Sequence, residues 1–156
     1  MGRIAPKLIL FLASGCGVGF SPYLPGTLGT LIAVPVSLAV NRLATSHSTA
    51  AIFLLVGLTL IAIGLADRAA RILATKDPAM IVIDEIAGFA LANFLSTGMR
   101  GLILAFILFR FFDIAKVFPA TRLEALPGGV GIVLDDIMAG LYTFLILRLV
   151  AYAGVA

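Results

Sequence analysis

Five carboxylates, Asp84, Glu85, Asp113, Asp135 and Asp136, stand within or at the ends of apolar segments. A charged side chain at the centre of a membrane helix costs about 2.5–3.5 kcal/mol on insertion scales, so such residues are functional by default. Oxygen-only ligands suit hard cations, Mg²⁺ above all. A zinc centre is implausible with one histidine, His47, and one cysteine, Cys16. Arg110, Asp113 and Lys116 are spaced by three and share one helix face. An acid between two cations suits a metal beside a phosphate, although an intrahelical ion pair would explain Arg110 equally well. Asp84 and Gly88, like Asp136 and Gly140, are four residues apart. A small residue one turn from an acid lets helices approach and aim their carboxylates at one point. Two glycine-rich stretches, Pro25–Gly29 and Gly128–Gly131, could offer backbone N–H groups to an anion. Neither a P-loop nor a dinucleotide-binding fingerprint is present.

The elements that carry these residues are apolar. Of 156 residues 62% are hydrophobic and 12% charged, with a mean hydropathy of +1.17. A soluble domain has about 25% charged residues, so both an ordinary soluble domain and a disordered chain are excluded. Thr49–Ala66 has no charge and as a helix reaches roughly 27 Å, close to a hydrocarbon core. Leu28–Val40, Ala79–Ser96, Leu102–Ala115 and Ile132–Val150 are four further candidates. The expected fold is all-α: a single domain over 1–156, an integral membrane bundle of about five transmembrane helices. An N-terminal amphipathic or re-entrant segment, carrying Arg3 and Lys7, precedes it. Ser21–Thr30 reads as a structured turn or re-entrant loop, Asn41–Ser48 as a polar loop, and Asp67–Pro78 as a short amphipathic piece.

Charge placement gives an orientation. With the N-terminus inside, the inner segments hold Arg3, Lys7, Arg68, Arg71, Lys76, Lys116 and Arg122, and the outer loops hold Arg42 and Arg100, with Arg148 near the far end. Residues 1–66 contain no acid. Every carboxylate then lies on or just below the cytoplasmic face. The net charge of +3 carries no basic block, so nucleic acid is not an expected partner. Nothing in the residues sets an oligomeric state.

Three blocks, PYLPGTLGT (22–30), DPAMIVIDEIAG (77–88) and FRFFDIAKVFPATRLEALPGGVGIVLDDIMAG (109–140), resemble in order and spacing the signature blocks of the phosphatidylglycerophosphatase A family. The likeness runs from about Pro22 to Tyr142. One position departs: Val117 follows Lys116 where the family usually has proline. The resemblance implies a Mg²⁺-dependent phosphatase of the bacterial inner membrane. Its substrate would be the lipid phosphatidylglycerophosphate and its products phosphatidylglycerol and inorganic phosphate. Carried onto these positions, Asp84, Glu85, Asp135 and Asp136 would hold Mg²⁺. Asp113 would be a further ligand, a base for water or a nucleophile, so Asp113, Asp84 and Asp136 form the catalytic set. Lys116 and Arg110 would meet the phosphate oxygens, with Gly26, Thr27 and neighbouring amides positioning them. Water or a carboxylate is the expected attacker, because His47 falls on the outer side and Cys16 lacks an activating neighbour. The competing class is a small ion or proton-coupled transporter using intramembrane carboxylates. Its path would have to continue into an outer half that holds no acid.

Overall fold

The computed structural model describes residues 4–154, and among them every regular element is helical. In chain order these are α1 (Ile4–Ala13), a 3₁₀ turn (Val18–Phe20), α2 (Pro25–Ser46), α3 (Ser48–Leu73), α4 (Ile83–Ala92), α5 (Gly98–Ala115), α6 (Ala120–Glu124) and α7 (Gly129–Tyr152). Arg3, used in the charge count above, lies outside the described residues. Three helices, α2, α3 and α7, are long and apolar enough to cross a membrane. Their outward faces carry exposed Leu31, Phe53, Leu60, Ile61 and Leu149. In lipid an apolar surface of this kind is the solvated state, and helices satisfy their backbone groups internally.

The helices overrun the expected boundaries. Pro25 opens α2 at its first position, where a missing N–H costs nothing, so half of the expected Ser21–Thr30 loop is helix. At the other end α2 continues through Asn41 and Arg42 to Ser46, and the expected Asn41–Ser48 loop shrinks to His47. The His47 amide still closes on Leu43 (2.7 Å) and its carbonyl already accepts from Ala51 (3.0 Å). Likewise α3 runs straight through Asp67, Arg68 and Arg71 to Leu73, so the first half of the expected separate piece, Asp67–Pro78, belongs to it. At 26 residues it is about 39 Å long and overreaches a ~30 Å hydrocarbon core. Its last turn carries Arg71, a residue suited to the interface beyond such a core.

Only Ile83–Ala92 of the expected Ala79–Ser96 span is helical, about 15 Å, too short to cross. The remainder is a turn before the helix, closed by the Ile81 amide on the Pro78 carbonyl (2.9 Å), and a second turn after it. Every residue of α4 except Leu91 is buried, and α7, α2, α3 and α5 all pack around it. Small residues permit this enclosure. A side chain on Gly88 would fall 2.6 Å from the Asp136 carbonyl, and one on Gly140 would collide with the Gly88 carbonyl. The helices α4 and α7 thus cross backbone to backbone, one turn beyond their acids.

Helix direction then sorts the two ends of the bundle. The N-termini of α2, α4 and α7 and the C-terminus of α5 gather at one end. The opposite end holds His47, Arg42, Arg100 and Arg148. It is closed by the Asn41 side chain, which accepts from the Leu95 amide (2.8 Å) and donates to the Asn93 carbonyl (2.7 Å).

Candidate active site

A cavity of about 290 Å³ opens at the end where three helix N-termini meet. Six acids line it, Asp77, Asp84, Glu85, Asp113, Asp135 and Asp136, with two cations, Arg110 and Lys116. Pro25, Gly26, Ile81, Ile114 and Ile132 complete most of the wall. Acids in the first turn of α4 are favourable there because the helix dipole is positive at its N-terminus.

One oxygen each from Asp84, Glu85 and Asp136 lies within 4.8 Å of the others. The Asp84 carboxylate accepts the Glu85 amide hydrogen (3.0 Å), which fixes its rotamer. Glu85 Oε2 and Asp136 Oδ2 are buried and have no partner in the protein. Buried polar oxygens without partners are costly, and a cation between them removes that cost. Three converged carboxylates, two of which carry an orphaned oxygen, fit a hard cation such as Mg²⁺.

Asp135 takes a different role from its neighbour. Lys116 Nζ donates to its Oδ2 at 2.7 Å and to Glu124 Oε1 at 3.0 Å. Adjacent helical residues point about 100° apart, so Asp136 faces α4 while Asp135 faces the loop after α5. Of the four expected metal ligands, the structure gathers three and gives the fourth to a lysine. Lys116 ends α5 in a left-handed conformation, φ 45°, which swings its side chain over the cavity. Partial burial pulls its ammonium down, but hydrogen bonds and charge from Asp135 and Glu124 outweigh this and raise it above the ordinary lysine value. It is a permanent cation at physiological pH.

Arg110 is ion-paired with Asp113 one turn on, as its spacing allows, and its guanidinium also stands 3.9 Å from Glu85. It crosses from α5 to α2, since a side chain on Gly26 would lie 3.1 Å from Nη1 and would strike Glu85. Gly26 is therefore needed for close approach. Thr27, expected beside the phosphate, is half-buried on α2 and forms no part of the cavity wall.

The second glycine stretch does not face this cavity. Gly128 adopts φ 65°, and the Gly129 amide donates to Asp67 Oδ1 (3.3 Å). A side chain on Gly129 would run into the Ile63 carbonyl, so these glycines dock α7 on α3 rather than cradle an anion. A larger cavity of about 490 Å³ lies beside this joint, between Asp67, Arg71, Lys76 and Gly128. Its one acid is already paired with Arg71 (3.0 Å). Two site residues escaped the sequence reading, Asp77 and Glu124, because both sit in connectors where an acid is ordinarily solvated. His47 is at the far end. Cys16 is exposed and not on the cavity wall.

Fold and site together define an all-helical membrane-type protein with an acid-rich, cation-bridged cavity at one end of its bundle. Residues 11–151 match the family described as phosphatidylglycerophosphatase A, and the chain belongs to that family of phosphatases. A protein of Haemophilus influenzae named phosphatidylglycerophosphatase A is 32% identical over 149 residues, covering 92% of this chain and 89% of that one. Another of the same name from Escherichia coli is 32% identical over 146 residues, covering 90% and 82%. A protein of Bacteroides thetaiotaomicron, provisionally named a phosphatidylinositol-3-phosphatase, is 34% identical over 148 residues, covering 90% and 91%. No solved structure matches the chain.

Proposed function

We propose that the protein hydrolyses phosphatidylglycerophosphate to phosphatidylglycerol and inorganic phosphate, with Mg²⁺ in the cavity, at the cytoplasmic face of the bacterial inner membrane. The observation that carries the metal is a charge count. Six acids and two cations line the cavity, four negative charges in excess when all are ionised. A phosphate monoester is itself an anion and meets net repulsion there unless a cation enters with it. Asp84, Glu85 and Asp136 would hold that cation; Asp135 gives its Oδ2 to Lys116, while its Oδ1 is buried without a partner. Bound Mg²⁺ would neutralise phosphate oxygens and raise the electrophilicity of phosphorus.

The chain's own groups do the rest. Arg110 and Lys116 reach the cavity from two sides and bind the remaining phosphate oxygens. Both are held by acids, Asp113 and Asp135, so each is oriented before substrate arrives. Phosphate binding to Arg110 frees the Asp113 carboxylate to accept a proton from water or to attack phosphorus itself. Trapping a hydroxylamine-sensitive phosphoenzyme that Asp113→Asn abolishes separates these, because direct attack by water forms no covalent intermediate. Gly26 keeps the α2 side of the cavity open. The lipid's chains would remain in the bilayer and its phosphate would reach the interface, where the starts of α2 and α7, both of membrane-spanning length, line this cavity. The transporter reading is not favoured, since the described acids lie at one end of the bundle and the far end offers arginines.

The test is phosphate release from phosphatidylglycerophosphate by detergent-purified protein, with Mg²⁺ and with chelator. Release with Mg²⁺ that stops with chelator and returns on adding Mg²⁺ is expected. Equal release in both arms removes the metal. Phosphatidylinositol 3-phosphate is assayed in parallel, and faster release from it would reassign the headgroup. Replacing Lys116 by methionine is expected to lower kcat by about 10²-fold, the usual cost of one charge-stabilising donor. Lys116→Arg is expected to keep part of that loss from appearing. Equal kcat for Lys116→Met and wild type would place the lysine outside the phosphate site.

A further inference from the structure

The face between α2 and α5 has a use that the phosphate site alone does not require. Both helices pack on α4, yet they scarcely touch each other. The interval between them, the α2–α5 trough, is bordered by Leu31 and Leu38 of α2, both exposed. At its head, Gly26 and Arg110 meet across it at the wall of the phosphate cavity. At its foot lies a separate cavity of about 230 Å³, lined by Leu38, Met99 and Leu102 over Asn41, Asn93 and Ser96. Between head and foot, helical spacing puts Leu31 and Val34 on the face of α2 that carries Leu38, and Phe106 on the face of α5 that carries Leu102 and Arg110.

The polar floor of the lower cavity is no obstacle to an apolar guest. Asn41 bonds to the Asn93 and Ser96 carbonyls, the Asn93 amide donates to Ser37 (2.9 Å), and Ser96 donates to Asn93. These groups satisfy one another, so the space they border asks for no hydrogen bond. Length also agrees. From Arg110 to Met99 is eleven residues of α5, about 16 Å, close to the depth of one leaflet of a ~30 Å hydrocarbon core.

The other apolar groove is unsuited. It is larger, about 420 Å³, and lies between α3 and α7 at Leu60, Leu141 and Phe144. At the end toward the phosphate site it is sealed where Gly129 packs on Ile63 and Asp67.

We propose that the α2–α5 trough binds one acyl chain of the lipid substrate, with the chain's end in the cavity at Leu38, Met99 and Leu102. This rests on the lipid-phosphatase reading. It makes the enzyme sensitive to acyl-chain length through residues remote from the chemistry.

The experiment compares dipalmitoyl and dihexanoyl phosphatidylglycerophosphate on wild type, Leu38→Trp, Met99→Trp and Leu60→Trp. Tryptophan at Leu38 or Met99 fills the foot of the trough; Leu60→Trp obstructs the sealed groove instead. Leu38 and Met99 are 48% and 68% exposed, so neither substitution strains the core. The expected result is a KM for the dipalmitoyl substrate raised about tenfold in the two trough variants, the scale of a blocked apolar pocket. Their dihexanoyl KM and kcat stay at wild-type values, and Leu60→Trp changes neither. Unchanged chain-length preference in both trough variants overturns the proposal, as does the same shift from Leu60→Trp. Wild type that releases phosphate from neither lipid overturns the phosphatase reading instead.

Discussion

Asp136→Asn is expected to lower phosphate release by about 10³-fold while the protein stays folded. The reason is its position. Asp136 is 3% exposed and contributes the α7 oxygen to the group formed with Asp84 and Glu85.

 That helix, α7, is 24 residues long, and Asp136 stands near its beginning, where it faces the first turn of α4. With one of the three oxygens gone, the cation site keeps two ligands from a single helix. Several kcal/mol of charge stabilisation go with the cation, and about 4 kcal/mol corresponds to 10³ in rate. Stability is expected to move the other way. The wild-type carboxylate is buried among like charges, so neutralising it relieves repulsion when no divalent ion is present. In metal-free buffer the variant should therefore melt no lower than wild type. Adding Mg²⁺ should raise the Tm of wild type and leave that of the variant unmoved, since a ligand stabilises only the form that binds it. Asp84→Asn should behave alike. Asp135→Asn should differ, because it strips Lys116 of a buried partner instead. Turnover of Asp136→Asn within threefold of wild type, about 0.7 kcal/mol, would remove the residue from the site.

Gly88→Ala is the second large effect, and it reaches chemistry through packing. The added methyl would lie 2.6 Å from the Asp136 carbonyl oxygen, 2.9 Å from its carbon and 2.9 Å from the Phe109 ring. Two of these atoms are backbone of a helix buried against α4, so they cannot swing aside. The helices must separate, which costs about 3 kcal/mol as overpacking and moves Asp136 away from Asp84. A lower Tm and a fall in turnover are expected together, with Gly140→Ala acting on the same crossing from the other side. Gly57→Ala and Gly64→Ala in α3 are the matched comparison. Nothing lies within 4 Å of a side chain at either position, so they should be neutral or slightly stabilising. If Gly88→Ala melts and turns over like Gly57→Ala, the backbone crossing is not what sets the distance between the acids.

Much of the site was legible because its residues are out of place where they stand. A carboxylate in an apolar helix must be compensated, so Asp84, Glu85, Asp113, Asp135 and Asp136 announce themselves without any structure. The glycines one turn from Asp84 and Asp136 were legible for a similar reason, since close helix packing demands small residues at regular spacing. Helix ends were less so. A hydropathy profile falls at Asn41 and at Asp67, but the backbone goes on hydrogen-bonding to itself wherever no breaker intervenes, and α2 and α3 continue. The Gly128–Gly131 run shows the same ambiguity. Glycine permits close approach to an anion and to a neighbouring helix alike, and only the position of Ile63 and Asp67 shows which one occurs.

The sequence by itself determined an all-helical, membrane-type chain, the resemblance to its family, and the set of acids and cations available for chemistry. Those follow from composition and from local spacing, which survive without knowledge of neighbours. The tertiary structure decided how that set is divided. Asp135 and Asp136 are adjacent and chemically identical, yet one holds Lys116 and the other joins Asp84 and Glu85. It also decided that α4 is a short enclosed helix rather than a lipid-facing span, and that α2 and α5 stand apart. The physical reason is common to all three. A side chain's direction is set by its own helix, but its partner is set by which other helix lies in that direction, and that depends on packing across the whole bundle.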